Sequence, residues 1–233
     1  MTTVSPSPEQ PGGPVTARGE GTRARIVDAA MRLFEERGYE KTTMRAVAAA
    51  AGVSLGNAYY YFGSKEELVQ GFYDRIQDRH ALAARQAMEG LAGFAERLAA
   101  TELAFVDAAE PYHRFAARFF AVAADPASPL SPFSPASTRA REASQQIFRD
   151  VLTGSDLKAD ARLLEELPEL LWLAHLGMVL RWVHDRSEGQ AATRTLIRRS
   201  VLLIDRTVRM SRLRPLRPLV HEVLDLAGDL RPK

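Results

Sequence analysis

The sequence predicts an all-α protein in two parts, a small three-helix N-terminal domain and a larger helical C-terminal domain. Three observations carry this. Apolar residues recur at helical spacing along most of the chain. The region 41–68 holds short helical segments punctuated by glycines and by Ser/Thr capping residues. Toward the C-terminus two long segments are apolar over more than one helical face, as in helices buried on most sides. The boundaries read as a tail at 1–21, the three-helix domain at 22–67 and the larger domain at 68–233.

Each element follows in order. Residues 1–21 contain four prolines and four glycines with almost no large apolar side chain, too little to offset the entropy of ordering, so a disordered tail is expected. The first helix is expected at 22–37. Thr22 is placed as its N-cap, Ile26, Ala29, Ala30, Leu33 and Phe34 form a buried stripe, and Gly38 stands at the left-handed stop. Thr43 caps a second helix whose apolar side is Met44, Val47, Ala48 and Ala51, ended by Gly52. Ser54 caps a third at 55–62, too short to be stable alone and therefore held by packing. Ser64 and Glu67 form a capping box that opens a long fourth helix, to about residue 88.

Composition bounds the chemistry. With 233 residues and 46% hydrophobic content the chain can bury a substantial core, and with no cysteine it excludes disulfides, thiolate metal sites and cysteine nucleophiles. The start lacks the pattern of a secretion signal, and the apolar run 170–183 is interrupted by His175 and Arg181 and too short to span a bilayer, so a cytoplasmic protein without membrane association is expected. The net charge is only +2, yet Lys/Arg outnumber Asp/Glu eight to six over 1–65 and ten to four over 191–233, against thirteen to nineteen between them. Anion-facing surfaces are thus permitted at both ends. Arg18, Arg23 and Arg25 read either as solvated charge or as a phosphate-contacting arm.

The small residues at 48–52 allow a close, steep helix crossing, which a helix-turn-helix requires. The stretch TTMRAVAAAAGVSLGNAYYYFGSKEEL, preceded by IVDAAMRLFEERGYE, closely resembles the N-terminal domain of TetR-family transcriptional repressors. The helix-one aromatic, the Gly-Tyr turn, the Thr cap, the G-V-S turn, the tyrosine-rich third helix and the Phe-x-Ser-Lys exit fall in register over residues 22–70.

The resemblance implies that the third helix enters the major groove of double-stranded DNA with Ser54, Leu55, Gly56 and Asn57 at its groove-facing start. Asn57 suits a base or phosphate, Leu55 a thymine methyl, and Gly56 a close backbone approach. Arg45 is the expected direct reader, since arginine pairs bidentately with guanine. Thr43, Tyr59, Tyr61 and Lys65 match phosphate-contacting positions, Tyr59 also a base-contacting one. The family often has histidine where Tyr61 stands. Tyr60 divides evenly between core and surface, and Phe62 reads as core.

In the larger domain the fourth helix, carrying Leu68, Phe72, Ile76 and Leu82, corresponds to the family's link between reading head and core. Helical patterns follow at 93–109, 111–124, 137–152, 163–183 and 192–210, with a short one at 219–226 after the basic run RLRPLRPL. Between the second and third lies DPASPLSPFSPA, whose four prolines exclude an α-helix and which reads as a lid or a plain connection. The resemblance implies an effector pocket, for which Phe72, Phe105, Tyr112, His113, Phe115, Phe119, Trp172, His175 and Met178 are the candidates, with Arg118 as a further anchor. Individually each aromatic reads as core. The effector is expected to be small and apolar or amphipathic. The resemblance also implies a homodimer through a four-helix bundle of the last two long helices, with Trp182, Leu196, Val201, Ile204 and Val208 as seam candidates.

The expected function is a ligand-responsive homodimeric repressor that binds a near-palindromic operator. An activator of the same fold and, more remotely, a small-molecule carrier or enzyme are the alternatives. No phosphate loop, dinucleotide fingerprint, zinc-protease motif or nucleophile elbow is present, and the five histidines show no i,i+4 ligand spacing, so neither catalysis nor a metal or cofactor is expected.

Overall fold

The computed structural model describes residues 17–229, apart from the side chains of 17, 18, 114, 115, 118, 119, 121, 214, 217, 223 and 226–229. Most of the expected tail and the side chains of Arg18, Phe115, Arg118 and Phe119 lie outside the described residues. Among those described there are α-helices and short 3-10 turns but no strand: α1 (Ala17–Arg37), α2 (Met44–Ala51), α3 (Leu55–Tyr61), α4 (Lys65–Ala87), α5 (Phe94–Ala109), α6 (His113–Ala123), α7 (Thr138–Leu152), α8 (Ala161–Val183), α9 (Ala191–Met210) and α10 (Arg217–Asp229). They divide into two compact units, one ending at Leu68 and the other starting at Val69. No described helix is long and apolar enough to cross a membrane.

In the first unit α1 begins five residues earlier than its capping signal suggests. Thr22 lies inside the helix, where its hydroxyl accepts from Arg25 Nη2 at 3.4 Å, and Gly19 and Gly21 weaken the first turns without breaking them. Ile26, Ala29, Ala30, Leu33 and Phe34 are buried, as are Met44, Val47 and Ala48 of α2. The link between the two helices is made by Thr42, whose buried hydroxyl lies 3.2 Å from the Leu33 carbonyl and 2.9 Å from that of Gly38. Gly52 closes α2 at φ 68°, in the left-handed region, with its N–H on Ala48 and Ala49 carbonyls. That conformation favours glycine, and it turns the chain at once into α3.

In the second unit α9 packs on α5, and α7 on both α5 and α8. The core is built from Phe94, Leu98 and Phe105 of α5, Ile147, Phe148 and Val151 of α7, Leu163, Leu167, Leu171, Trp172 and Trp182 of α8, and Ile197, Val201 and Val208 of α9. Two charged side chains satisfy helix ends, Arg97 at the half-buried edge of this core and Asp185 within it. Arg97 donates to the carbonyls of Leu91, Asp150, Val151 and Thr153 at 2.7 to 2.9 Å, covering C-terminal carbonyls of α7 that have no helical partner. Asp185, buried after α8, accepts from the Ser187 and Thr193 amides at 2.9 and 2.7 Å and from their hydroxyls at 2.6 and 2.7 Å. Burial pushes this carboxyl up, but the four donors outweigh it and hold it well below the usual carboxylate range.

The proline segment between α6 and α7 is an ordered strap. Ser128, Ser131, Ser134 and Ser137 each donate their amide to the carbonyl three residues back, at 2.9 to 3.2 Å, starting on Asp125. Each turn has proline in its second position, where the fixed φ suits it. Asp125, Ser128 and Ser131 also accept from the amide two residues on. Leu130 is buried, and the Phe133 ring meets Trp172 edge to face at 5.5 Å.

The all-round apolar pattern of α8 calls for cover by a partner subunit, and Ala174, Gly177 and Leu180 face outward from this unit. One expectation fails on helix phase. Trp182, Val201 and Val208, assigned to a seam between subunits, are buried inside the unit's own core. Both sides of these helices are apolar, so periodicity alone does not say which side turns inward.

Replacing Asp185 with Ala strands the Ser187 and Thr193 donors, and the unfolding free energy should fall by about 3 kcal/mol at neutral pH. Because folding depresses this carboxyl, its contribution is complete above the ordinary carboxylate pKa. It disappears as pH falls from there toward the depressed native value. Denaturant melts of the two proteins should therefore converge below about pH 4; a constant gap would assign the loss to packing instead.

Candidate functional site

The third helix has seven residues, and its phase is set by one side chain. Ala58 is fully buried and Phe62, just past the end, is nearly so, which turns the opposite side outward. At 100° per residue Gly56 and Tyr60 occupy the centre of that outer side, flanked by Asn57 and Tyr59. Tyr60 is 76% exposed and Tyr59 50%. Leu55 and Tyr61, at the edges, are half-buried, and the Tyr60 and Tyr61 rings meet edge to face at 5.2 Å. The sequence left Tyr60 undecided between core and surface; its position three residues from Asn57 and four from Gly56 was the available signal.

Gly56 sits in open space. A methyl group added there would meet nothing within 4 Å, so the fold itself does not require glycine. Glycine inside a helix costs roughly 0.5–1 kcal/mol relative to alanine, and here it leaves the outer side of α3 nearly flat between its tyrosines.

The remaining interface candidates flank this helix in sequence. Thr43 and Ser54 are N-caps whose hydroxyls accept from the Ala46 and Asn57 amides at 3.2 and 3.1 Å. Each hydroxyl retains its hydrogen for an outside acceptor. Arg45 is exposed in the first turn of α2. Lys65 is more engaged than expected: its Nζ donates to the Tyr39 carbonyl at 3.0 Å and stands 4.4 Å from the Tyr39 ring centroid. Tyr39 in turn donates its hydroxyl to Glu66 at 2.7 Å. That bond, with burial working against it, lowers the Glu66 carboxyl. Half of the capping box forms, Ser64 accepting from the Glu67 amide at 3.2 Å, while Glu67 reaches one residue further back and accepts from the Gly63 amide at 2.8 Å. Arg23, considered above as part of a phosphate arm, lies 4.9 Å from the centre of the Phe62 ring.

The pocket candidates of the second unit fall into three neighbourhoods. Phe72 meets Tyr112 edge to face at 4.8 Å, and Arg79 donates to the Tyr112 hydroxyl at 2.9 Å. Phe105 meets the rings of His175 and Trp182 at 4.7 and 5.6 Å, and His113 bonds the Trp182 carbonyl through Nε2 at 2.8 Å. Trp172 lies under Phe133 of the strap. Met178 is half-buried. His80 stacks on His175 at 5.6 Å and meets Phe105 at 5.4 Å, although nothing in its sequence context distinguished it from the other histidines. No group of three or more metal-ligating side chains occurs among the described residues.

Comparison with known proteins accounts for both units. Residues 26–71 match the family described as bacterial regulatory proteins, tetR family, and residues 97–226 match the tetracyclin repressor-like C-terminal domain. The transcriptional regulator TtgR of Pseudomonas putida is 44% identical over 64 residues, 28% of this chain and 30% of that protein. The chain thus spans under a third of the length of that relative. Among solved structures, a TetR transcriptional regulator from Nitrosomonas europaea aligns with a TM-score of 0.62 at 20% identity, covering 78% of this chain and 97% of the other. FadR of Bacillus subtilis, solved in complex with stearoyl-CoA, aligns at 0.60 and 19%, covering 76% and 96%. At such identities these two establish the fold. The capped reading head at the N-terminal end and the match over more than half of the chain beyond it make this protein a member of the TetR family of transcriptional regulators.

Proposed function

We propose that this chain is a homodimeric, effector-responsive repressor that inserts α3 into the major groove of a near-palindromic operator. The observation that carries the reading is the outer side of α3: Gly56 and Tyr60, flanked by Asn57 and Tyr59, form an exposed face on a helix whose other side is anchored. Tyr60 joins the contacts assigned from the sequence, Thr43, Arg45, Ser54, Leu55, Gly56, Asn57, Tyr59, Tyr61 and Lys65. Arg45 and Asn57 read bases, while the cap hydroxyls and tyrosines fix register on phosphates. Lys65 divides its three donors between Tyr39 and a phosphate.

Dimerisation is supported by α9. Leu196, Leu203 and Met210 recur every seven residues and are 40%, 66% and 50% exposed. Leu180 of α8 is exposed as well. Such a stripe fits the seam of a bundle with a second copy, in which each chain contributes the same two helices. Ile204 and Leu196 remain in this assignment, whereas Trp182, Val201 and Val208 leave it. Two reading heads would then address grooves about 34–36 Å apart. An effector that favours the form unable to span that distance would release the operator by an allosteric coupling of about 1–3 kcal/mol.

Gel-shift titrations with the chain's own upstream DNA test this reading, and it is lost if random DNA of equal length binds equally well at low salt. Within it, Arg45→Ala should flatten sequence preference, lowering operator affinity by about 1–3 kcal/mol while sparing random DNA. Lys65→Ala should weaken all DNA alike and lower the melting temperature as well, since it frees Tyr39. At the proposed seam, Leu203→Glu buries an unpaired charge and should raise the dimer dissociation constant by roughly a hundredfold or more, read by sedimentation. An unchanged dimer would move the seam elsewhere.

A further inference from the structure

The core of the second unit contains a knot of polar groups that its own chain leaves incomplete. His80 on α4, Thr101 on α5, and His175 and Trp182 on α8 are all buried. Each ring or hydroxyl has an atom without a hydrogen-bond partner: His80 Nδ1, Thr101 Oγ1, His175 Nε2 and Trp182 Nε1. Three of these residues surround Phe105, whose ring meets those of His80, His175 and Trp182 at 4.7 to 5.6 Å. An unmet buried donor or acceptor costs about 1–3 kcal/mol, so several together in one place on three helices require an explanation.

The bonds that are made define what the free atoms offer. His80 Nε2 lies 3.0 Å from the Thr101 carbonyl, which only accepts; Nε2 therefore carries the hydrogen. Burial, aided by the neighbouring His175, lowers the His80 pKa to about 3 and keeps the ring neutral, which leaves Nδ1 as an acceptor. The indole N–H of Trp182 is a donor only, and the Thr101 hydroxyl is both. His175 Nδ1 is held at 2.8 Å by the carboxylate of Glu102, itself buried. A partner for His80 must donate, and a partner for Trp182 must accept. A hydroxyl does both. A carboxylate or phosphate has no hydrogen for His80 and would be brought close to the Glu102 carboxylate.

We propose that His80, Thr101, His175 and Trp182 form the polar end of the effector site, and that they select a neutral, hydroxyl-bearing apolar molecule over anionic or purely hydrocarbon ones. This rests on the effector-responsive reading above and adds the chemical class. It also distinguishes the chain from the FadR structure solved with stearoyl-CoA, whose ligand is anionic at one end.

Calorimetric titration of the full chain with 2-naphthol, naphthalene and 2-naphthoate tests the proposal. The alcohol should bind at least roughly tenfold more tightly than the hydrocarbon, the equivalent of one buried hydrogen bond, and the carboxylate more weakly than either. Trp182→Phe keeps the ring and removes the donor; His80→Leu removes the acceptor. Each should bring the alcohol-to-hydrocarbon ratio toward one while naphthalene binding is retained. The phenylalanine variant keeps the test open should the leucine variant not fold. Equal binding of alcohol and hydrocarbon, an unchanged ratio in Trp182→Phe, or no binding of any probe would overturn the proposal and assign the free atoms to buried water. Operator release is measured separately. Release by naphthalene and 2-naphthol alike retains the repressor reading and rejects the polar site; hydroxyl-dependent binding without release does the reverse.

Discussion

A seven-residue helix does not exist in water by itself, because the first turn costs more conformational freedom than its few hydrogen bonds return. The reading head therefore depends on the burial of Ala58 and Phe62 against the rest of the first unit. Their side must be small and then large: Ala58 lets the helices approach, and Phe62 fills the space just beyond the last turn. Everything on the outer side follows from that anchor. With the inner phase fixed, Gly56, Asn57, Tyr59 and Tyr60 have only one direction left, and the caps at Thr43 and Ser54 set where the helices begin. The interface is thus specified by residues that never touch its partner.

The second unit treats buried polarity in two ways. Arg97 and Asp185 are met on every side that matters, with four carbonyls around the guanidinium and four donors around the carboxylate. These are structural devices that finish helix ends, and a fully satisfied network rigidifies what it joins. The knot around Phe105 is left open instead. Such an open network lowers stability in the free protein, and the cost is recovered only when another molecule supplies the missing partners. The contrast between closed networks at the helix ends and an open one in the middle separates scaffold from site within a single core.

Much of this was legible in the sequence, and the reasons differ from part to part. The helices of the first unit carry start and stop signals a few residues apart, so Gly38, Gly52, Ser54 and the Ser64–Glu67 box located them closely; only the start of α1 slipped, because helix extends through two glycines. The seam was harder. Leu196 and Val201 are equally apolar, and only packing on α5 shows that Val201 points in and Leu203 out. The same ambiguity misplaced Trp182. Long-range polar pairs were invisible in principle: nothing links Arg97 to Thr153, or His175 to Glu102, until the chain has folded, and Thr42 gave no sign of joining α1 to α2.

The strap between α6 and α7 has a consequence for how the chain can vary. Its turns repeat every three residues, each using Ser or Asp to begin and Pro to follow, and Leu130 and Phe133 are placed inward and over Trp172 by that repeat. An ordinary surface loop tolerates added residues at small entropic cost. This one is counted in threes. A single inserted residue would rotate everything beyond it out of phase and leave a proline where an amide must donate, whereas a whole added turn would preserve the pattern. Its length can therefore change in steps, as a chain of links does, but not gradually.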